Sequence, residues 1–384
     1  MSHAALTRLT QGLAALRRDN LERHRGLLES PQGVRIRLNG RDLLSFCSND
    51  YLGLAASSEL IQAAHAALDT CGVGAGASHL ITGHHAAHHA FETAFAQFVG
   101  KPAALLFSSG YMANLGVLTA LLGRHGEVFS DRLNHASLND AAQLSGAKFT
   151  RYHHGDLPQL EAQLARSDAE PKMIVSDLVF SMDGDLAPVD ALLDLAERYD
   201  TWLHLDDAHG FGVLNLGRGG LTPRAANSAR VIYLATLGKA AGVAGAAVAA
   251  DQTVIDWLIQ KSRPYIYTTA MPPMLAACLS ESLQQIAQGG GLRETLHRHV
   301  RALQTGLAEL RWHLLSSDTP IQPLIVGDNA AAVTLSRALL DRGLLVPAIR
   351  TPTVPQGTAR LRITLSAAHT SDDIEQLIAA LHEI

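Results

Sequence analysis

The sequence predicts a large α/β protein in which helices cover both faces of a mostly parallel β-sheet. Helix-like segments separate most of a series of short apolar runs, which lie at Ala103–Phe107, Met173–Val175, Trp202–Leu205, Val231–Ala235 and Ala246–Ala249. Continuous apolar runs of this length are typical of strands that are buried on both faces. Because 384 residues exceed what one ordinary core accommodates, we expect a large sheet domain and a smaller second unit.

The composition is that of a compact protein with a slight negative charge. Hydrophobic residues make up 47% of the chain and charged residues 17%, and 31 basic residues face 36 acidic ones, a net charge of −5. This balance disfavours nucleic acid as a principal partner, and no stretch resembles a membrane span. Three cysteines without metal or disulfide spacing, Cys47, Cys71 and Cys278, indicate a reducing compartment, so we expect a cytoplasmic protein.

Residues 1–48 are expected to form an arm made of one helix and one hairpin. The alternation of apolar and polar residues over 34–46 surrounds an Asn39-Gly40 turn, which predicts the hairpin. Basic residues before the first acidic one are faintly similar to a transit peptide. An ordinary amphipathic helix explains the segment equally well, and we prefer it because the leucines have helical spacing: Leu6, Leu9, Leu13 and Leu16.

We expect a large cofactor-binding α/β domain over residues 49–282 and a smaller α/β domain over 283–384. The rhythm of the chain changes near residue 282 from short strands and helices to one long helix. The elements expected in the smaller domain are a helix at Leu292–Leu310, strands at Ile321–Val326, Leu345–Ile349 and Arg360–Leu365, and a last helix from Ser371. A capping signature at 370–373 opens that last helix.

Histidines are concentrated just after a glycine-rich loop at residues 72–79. The loop is only superficially similar to a dinucleotide-binding fingerprint, because a helix and not a strand precedes it. Helical i,i+4 pairs could bind a metal, but no HExxH pattern or third carboxylate ligand accompanies them. We therefore expect solvated or capping histidines and no metal site at His84, His85, His88 and His89.

One lysine stands out within an apolar stretch. Lys239 is the only charged residue between Val231 and Ala250, and an ammonium group is costly to bury unless it is paired or loses its proton. A buried lysine can act as a neutral nucleophile that forms imines with carbonyl compounds. This stretch alone is equally compatible with a lysine that extends to solvent from the end of a core strand.

Polar groups follow three of the predicted strands at the points where these strands end. Asp206 and His209 follow one strand, and Lys239 follows the next, with Thr236 just ahead of it. In open α/β sheets ligands gather at this edge. A helix that begins within 109–114 would offer backbone N–H groups to a phosphate. An amine, a carboxylate, an imidazole and a phosphate cradle together predict a pyridoxal-phosphate site, although the carboxylate and imidazole could merely cap a strand and a turn.

At these residues the sequence resembles the α-oxoamine synthases, pyridoxal-phosphate enzymes with the aspartate-aminotransferase fold (fold type I). The resemblance extends from about Leu21 to the C-terminus. It rests on the ordered motifs SNDYLGL (48–54), SSGYMAN (108–114), DRLNHASL (131–138), FSMDGD (180–185), LDDAHGFG (205–212), ATLGKAAG (235–242), YTTAMPP (267–273) and PTVPQGTARLRITLSAAH (352–369).

The resemblance implies a role for each residue that surrounds the cofactor. Lys239 would be the Schiff-base lysine and the acid/base for the substrate α-proton, Asp206 would pair with the pyridinium nitrogen, and His209 with the phenolic oxygen. His135 would stack on the ring. The remaining implied contacts are Ser181 to the cofactor, Gly110, Tyr111 and Thr236 to its phosphate, and Thr268 or Thr269 to the phosphate in the partner subunit of an obligatory homodimer.

For the substrates, the resemblance implies that Asn49 and Arg362 hold an amino-acid carboxylate and that Thr353 and Arg23 face an acyl substrate. Arg362 and Arg23 could instead be solvated residues of a strand and of a helix. The motifs are most similar to those of the family member that joins L-alanine to pimeloyl-CoA or to a pimeloyl-acyl-carrier protein. A sibling synthase using glycine or serine with another acyl-CoA is the alternative. An amine-sensing regulatory domain is disfavoured because the chain has no DNA-binding appendage.

Overall fold

The computed structural model describes residues 4–18 and 21–384, and it has the predicted α/β architecture. In chain order, the strands are β1 (Arg35–Leu38), β2 (Arg41–Ser45), β3 (Ala103–Phe107), β4 (Glu127–Asp131), β5 (Lys148–Tyr152), β6 (Lys172–Asp177), β7 (Trp202–Asp206), β8 (Val231–Thr236), β9 (Ala246–Ala250), β10 (His313–Leu314), β11 (Ile321–Gly327), β12 (Leu344–Leu345), β13 (Ala348–Ile349) and β14 (Ala359–Thr364).

The helices surround these strands. They are α1 (Ala4–Arg18), α2 (Ser58–Cys71), α3 (Ala86–Val99), α4 (Gly110–Leu121), α5 (Ala136–Leu144), α6 (Leu157–Leu164), α7 (Val189–Arg198), α8 (Pro223–Asn227), α9 (Gln252–Lys261), α10 (Arg263–Ile266), α11 (Pro273–Gln288), α12 (Gly290–Gly306), α13 (Asn329–Asp341) and α14 (Ser371–Glu383). A π-helical turn lies at His79–Gly83 and a 3₁₀ turn at Asn215–Gly217.

A seven-stranded sheet forms the centre of the molecule, in the order β3-β9-β8-β7-β6-β4-β5. Every neighbouring pair is parallel except the two that involve β9. Alternate residues of each strand enter one of two hydrophobic clusters, so that Leu105 and Val248 lie on one face while Leu106 and Ala249 lie on the other. Burial on both faces explains why these strands read as continuous apolar runs.

All five apolar runs are strands in the structure, but the sequence did not reveal β4 and β5. Strand β4 is fully buried, but its sequence, EVFSD, is not a continuous apolar run. Ser130 and Asp131 lie at the edge of the sheet that carries the polar groups. Glu127 at its other end is held by Lys148, Thr150 and Ser167. Strand β5 lies at the edge of the sheet and therefore has no continuous apolar run.

The N-terminal hairpin is confirmed, and it pairs with the C-terminal part of the chain. Asn39 and Gly40 both have positive φ values, 50° and 73°, as a two-residue turn of the type favoured by Asn-Gly requires. Strand β12 adds to β2 in parallel, so residues near 344 complete a small three-stranded sheet. The amphipathic helix is also confirmed, and its four leucines, Leu6, Leu9, Leu13 and Leu16, are 42–63% exposed.

A four-stranded antiparallel sheet, β10-β11-β14-β13, forms the core of the C-terminal region. The expected single strand at Leu345–Ile349 is wrong in one respect. It is two short strands in different sheets, β12 and β13, on either side of Pro347, which cannot donate a ladder hydrogen bond. The expected domain boundary at residue 282 falls within α11, and the three-part division of the chain stays a proposal.

Among the described residues, no helix combines the length and apolarity that a membrane crossing requires.

We expect the capping box of α14 to stabilise the C-terminal region measurably. The Thr370 hydroxyl accepts the Asp373 backbone N–H at 3.2 Å, and the Asp373 carboxylate accepts the Thr370 N–H at 2.9 Å. Thr370→Ala should lower the free energy of unfolding by about 1 kcal/mol. Thr370→Ser, which keeps the hydroxyl, should lie close to wild type in the same urea titration. Equal losses in both variants would contradict the role of the cap.

Candidate active site

The polar groups predicted to meet at the sheet edge do meet there. Strands β6, β7 and β8 lie side by side and end in Asp177, Asp206 and Thr236. They surround a cavity of about 220 Å³. Its lining consists of Gly110, Tyr111, His135, Ser137, Asp177, Ser181, Asp206, Ala208, His209, Thr236 and Lys239. Eight of the residues predicted for the cofactor are therefore brought together.

The Lys239 amine is directed into this cavity and lies 3.1 Å from Nε2 of His209. Burial lowers the pKa of Lys239 below its ordinary value, and the negative charges of Asp206 and Asp177 oppose that shift. Burial disfavours the ammonium form. The site therefore favours a neutral amine, which is the nucleophilic state of lysine.

Tyr51 orients His209, and the sequence did not assign it a role. The Tyr51 hydroxyl is 2.5 Å from Nδ1 of His209. Burial raises the pKa of Tyr51 to about 12, and burial together with the charge of Lys239 lowers the pKa of His209 well below its usual value. The same hydroxyl lies 3.2 Å from Oδ1 of Asn49. If its proton goes to the neutral imidazole, the Nε2 proton of His209 is directed at Lys239. These residues are 158 positions apart, so no local spacing reveals the pair.

Asn114 fixes the carboxylate of Asp206 in place. Its amide Nδ2 donates to Oδ2 of Asp206 at 2.7 Å, and the Ala208 N–H donates to Oδ1 at 3.1 Å. The Asn114 oxygen in turn lies 2.7 Å from Nε2 of His204, whose pKa burial lowers to about 4. A neutral His204 supplies an N–H to that oxygen and sets the orientation of the amide. Both residues belong to recognised motifs or strands, but neither was expected to position the carboxylate.

A second buried carboxylate, Asp177, faces the cavity beside Asp206. Burial, and then the negative charge of Asp206, raise the pKa of Asp177 well above its usual range. Asp177 accepts the backbone N–H of His135 at 2.8 Å. It therefore holds the start of α5, and the sequence missed it because the predicted strand ended at Val175.

His135 caps α5 and presents its ring to the cavity. Nδ1 accepts the Ser137 N–H at 3.2 Å and lies 2.8 Å from the Ser137 hydroxyl. Burial lowers the pKa of His135. Because Nδ1 acts as the acceptor, the ring carries its proton on Nε2 when it is neutral.

The start of α4 forms the anion-binding end of the cavity. The Ser109 hydroxyl accepts the Met112 N–H at 3.2 Å, and the first N–H groups of the helix have no acceptor within the helix. A side chain at Gly110 would place its Cβ 2.7 Å from the Thr236 hydroxyl, so this close approach requires glycine. The Tyr111 hydroxyl instead binds Asp140 outside the cavity, so Tyr111 contributes its backbone N–H here.

Arg362 is a buried cation close to the cavity. Its Nε donates to the Ser181 carbonyl at 2.6 Å, and its terminal nitrogens donate to Thr364 Oγ1 at 3.0 Å and to Asn49 Oδ1 at 3.3 Å. Among the described residues no carboxylate pairs with it. A buried guanidinium without an anionic partner is costly, and this arrangement suits an external carboxylate.

Besides Asn49 and Arg362, four predicted residues do not line the Lys239 cavity. Thr353 lines a neighbouring cavity of about 500 Å³, which also contacts Asn134 and Phe180, the residues next to His135 and Ser181 in the chain. Arg23 is exposed in an irregular segment, Thr268 is half-buried and Thr269 is exposed. Their expected roles stay predictions.

The residues present fit pyridoxal phosphate. The amine of Lys239 suits an aldehyde, the oriented Asp206 carboxylate suits a protonated ring nitrogen, and the start of α4 suits a phosphate. Because residue 110 is glycine, no side chain occupies the space beside Thr236 at the start of the helix, which leaves room for such a group.

Comparison with known proteins agrees with this chemistry. The family model described as aminotransferase class I and II matches residues 41–381. The 8-amino-7-oxononanoate synthase of Thiobacillus denitrificans is 69% identical over 385 residues, which cover all of both chains.

Solved structures of two related enzymes share the fold. The serine palmitoyltransferase of Sphingomonas wittichii superposes with a TM-score of 0.91 at 29% identity, covering 98% of this chain and 95% of that one. The 8-amino-7-oxononanoate synthase from Francisella tularensis superposes with a TM-score of 0.76 at 31% identity, covering 89% and 97%. The fold-type I prediction is confirmed.

Removing the Tyr51 hydroxyl should leave His209 without its donor. Tyr51→Phe should lower the free energy of unfolding by about 1–3 kcal/mol, because a buried nitrogen loses its hydrogen bond. In ¹⁵N spectra of the imidazoles, the signal of His209 should move away from the tautomer protonated at Nε2. Tyr267→Phe, at a 72% exposed tyrosine, is the matched control and should change neither measurement. An unchanged His209 signal in Tyr51→Phe would show that the pair does not set the tautomer.

Proposed function

This chain belongs to the 8-amino-7-oxononanoate synthases of the class I and II aminotransferase family, and from that premise we propose that it joins L-alanine to a pimeloyl thioester. Members of this group are acyltransferases, and the chain is accordingly a pyridoxal-phosphate enzyme of biotin synthesis. The observation that carries the amino-acid part of the proposal is Arg362, a buried cation that can bind a substrate carboxylate.

We assign the cofactor to the cavity at the sheet edge. Lys239 would hold its aldehyde carbon, Asp206 its ring nitrogen and His209 its phenolic oxygen, while the N–H groups of Gly110 and Tyr111 would bind its phosphate. Thr236 and Ser181 complete the contacts, and His135 would cover one face of the ring. When bound, pyridoxal phosphate supplies an electron-withdrawing ring that stabilises negative charge at the substrate α-carbon.

Lys239 is proposed to move the α-proton of the amino acid. Burial lowers its pKa, which favours the free amine that can act as a base. His209, held by Tyr51, directs its Nε2 at the lysine nitrogen and keeps the amine close to the cavity. The same nitrogen can return a proton to the product carbon once the carboxylate has left.

Arg362 and Asn49 are proposed to hold the α-carboxylate. The guanidinium presents a fork of donors that can pair with both carboxylate oxygens. Asn49 already touches both terminal nitrogens of Arg362, so a carboxylate would bind to groups that are in place before it arrives. Neither residue contacts the side chain of the amino acid, and the choice of alanine over glycine must come from the shape of the cavity near His135.

The neighbouring cavity of about 500 Å³ supports a place for the acyl chain. Thr353 lies in it, and Phe180 and Leu133 give it an apolar wall that suits methylene groups. Arg23 remains the candidate for the distal carboxylate of a pimeloyl group, carried either by coenzyme A or by acyl-carrier protein.

The proposed reaction balances in four steps. The α-carbon of alanine loses a proton to Lys239 and then forms a bond to the thioester carbonyl carbon. The carrier leaves as a thiolate with the electron pair of its C–S bond and takes a proton from water. Carbon dioxide leaves from the α-carbon, and a proton from Lys239 replaces it. The products are 8-amino-7-oxononanoate, carbon dioxide and the free carrier.

We also propose that the active enzyme is a homodimer with its site at the subunit interface. Thr268 or Thr269 would reach the phosphate bound by the partner subunit. Thr269 is exposed, and neither threonine lines the Lys239 cavity of its own chain, which is compatible with that role.

Arg362 should determine alanine binding. Arg362→Ala should lower kcat/KM for alanine by about 10- to 100-fold, because a charge-assisted hydrogen bond contributes roughly 1.5–3 kcal/mol. Arg362→Lys should recover part of this loss, since it keeps the charge but not the fork of donors. The visible absorbance of bound cofactor should persist in both variants. A normal KM for alanine in Arg362→Ala would remove Arg362 from carboxylate binding.

The substrate pair is tested by thiol release from a panel of amino acids and acyl thioesters. With L-alanine present, pimeloyl thioesters should release thiol far faster than acetyl, succinyl or palmitoyl thioesters. Glycine should support slower thiol release than L-alanine, and the difference should be moderate because one methyl group changes binding by only about 1–3 kcal/mol. The inactive control is Lys239→Ala.

Two outcomes of this panel separate the possibilities. A best pair of L-alanine and a pimeloyl thioester supports the proposal. A best pair of glycine or serine with another acyl-CoA would contradict it and favour a sibling synthase.

A further inference from the structure

A second group of metal-type ligands lies away from the cofactor cavity, at the start of α3. His84 just precedes the helix, while His89 and Glu92 lie three residues apart on it, so they share a face. One ligand atom from each of these three side chains lies within 4.8 Å of the other two. The two histidines are exposed, and the carboxylate forms the buried end of the group.

One carboxylate oxygen of Glu92 accepts a backbone hydrogen bond, and the other faces His84. The residue is 7% exposed. Its Oε1 accepts the Leu106 N–H at 2.8 Å, while Oε2 lies 3.8 Å from Nε2 of His84, beyond hydrogen-bond distance. A positive charge next to Oε2 would offset the cost of burying this carboxylate.

A hydrogen bond between His84 and the neighbouring His79 can leave the Nε2 lone pair of His84 free to bind a metal. Nδ1 of His84 lies 3.1 Å from Nδ1 of His79. The His79 ring stacks on Tyr265 at 4.6 Å between centroids, which fixes its orientation beside His84. If His84 donates its Nδ1 proton to His79, its Nε2 lone pair faces Glu92. A metal-binding imidazole commonly donates the proton of its other ring nitrogen to a neighbouring group, and this hydrogen bond orients the ring.

His88 is unsuitable as a ligand, because its Nδ1 accepts the His85 N–H at 2.9 Å and its Nε2 donates to the Met271 carbonyl at 2.7 Å. Two imidazoles and one carboxylate therefore converge at this point, each with one ligand atom within 4.8 Å of the other two.

We propose that His84, His89 and Glu92 bind a divalent transition-metal ion of the zinc type, with the remaining position open to water. Zinc bonds of about 2.0–2.2 Å place tetrahedral ligands roughly 3.4 Å apart. The His84 and Glu92 atoms are 3.8 Å apart, and all three ligand atoms lie within 4.8 Å of one another, so binding an ion would draw the three side chains together. Two imidazoles and a carboxylate favour Zn²⁺ over Mg²⁺ or Ca²⁺. The sequence argument excluded a metal for want of a carboxylate, and Glu92 supplies it.

Such an ion would fasten the segment before α3 to the helix itself. The π-helical turn at His79–Gly83 leads directly into His84, and the loop ahead of it is tied to the segment after Thr269 by the Ala270 N–H, which donates to the Ala77 carbonyl. The ion would thus stabilise this loop by linking it to a long helix. It would not touch the Lys239 cavity, whose lining shares no residue with the three ligands.

Zinc binding to the untagged holoenzyme tests the proposal. After chelator treatment and reconstitution with cofactor, equilibrium dialysis against Zn²⁺ with elemental analysis should find one ion per chain, and millimolar Mg²⁺ should not displace it. His89→Ala, at an exposed position, should weaken binding by at least about tenfold, since even loss of an outer-shell partner has that effect. Glu92→Gln should weaken it similarly while keeping an oxygen acceptor for Leu106.

The matched control is His85→Ser, which removes a neighbouring histidine but keeps a helix-capping side chain. It should bind zinc as the wild type does. Absence of stoichiometric zinc, or equal zinc affinity in wild type and His89→Ala, would overturn the proposal. Unchanged circular dichroism of His89→Ala separates loss of a ligand from loss of the fold.

Discussion

The burial of a basic amine at the sheet edge is the constraint on which the site depends. Lys239 is surrounded by apolar strands, and Arg362 adds a second positive charge, which also lowers its pKa. Asp206 and Asp177 oppose this by stabilising the ammonium form. The backbone must also pass very close to its neighbours, since a side chain at Gly242 would place its Cβ 2.6 Å from the Ala55 nitrogen. The lysine is thus held by charge balance and by tight packing together.

Parallel strands explain how distant residues form one site. Each parallel strand ends at the same edge of the sheet, so Asp177, Asp206 and Thr236 become neighbours although a helix separates each from the next. The helix that starts at Gly110 joins them because β3 runs in the same direction. Side-chain orientation then depends on partners elsewhere, such as Asn114 for Asp206. The sheet places these residues close together, and the hydrogen bonds orient their side chains.

Sequence patterns predicted the parts of the molecule that depend on local physics. Strands buried on both faces appear as apolar runs, and the residues after them could be placed at one edge. Strand β4 was not predicted, because its polar ends form hydrogen bonds and ion pairs with groups far along the chain, such as Lys148 at one end. Tyr51 and Asp177 escaped for the same reason, since their partners, His209 and His135, are 158 and 42 residues away. Long-range pairing leaves no local spacing to detect.

Arginines connect the C-terminal sheet to the site. Both Arg360 and Arg362 lie on β14, and both bind the short segment that follows β6: Arg362 donates to the Ser181 carbonyl, and Arg360 donates to the Met182 carbonyl and pairs with Asp183. Asp183 neutralises Arg360, whereas Arg362 lacks a carboxylate among the described residues. The two cations therefore have different roles. Arg360 fastens the C-terminal sheet to the large sheet domain, and this attachment holds the charge of Arg362 at the cavity where a substrate anion would arrive.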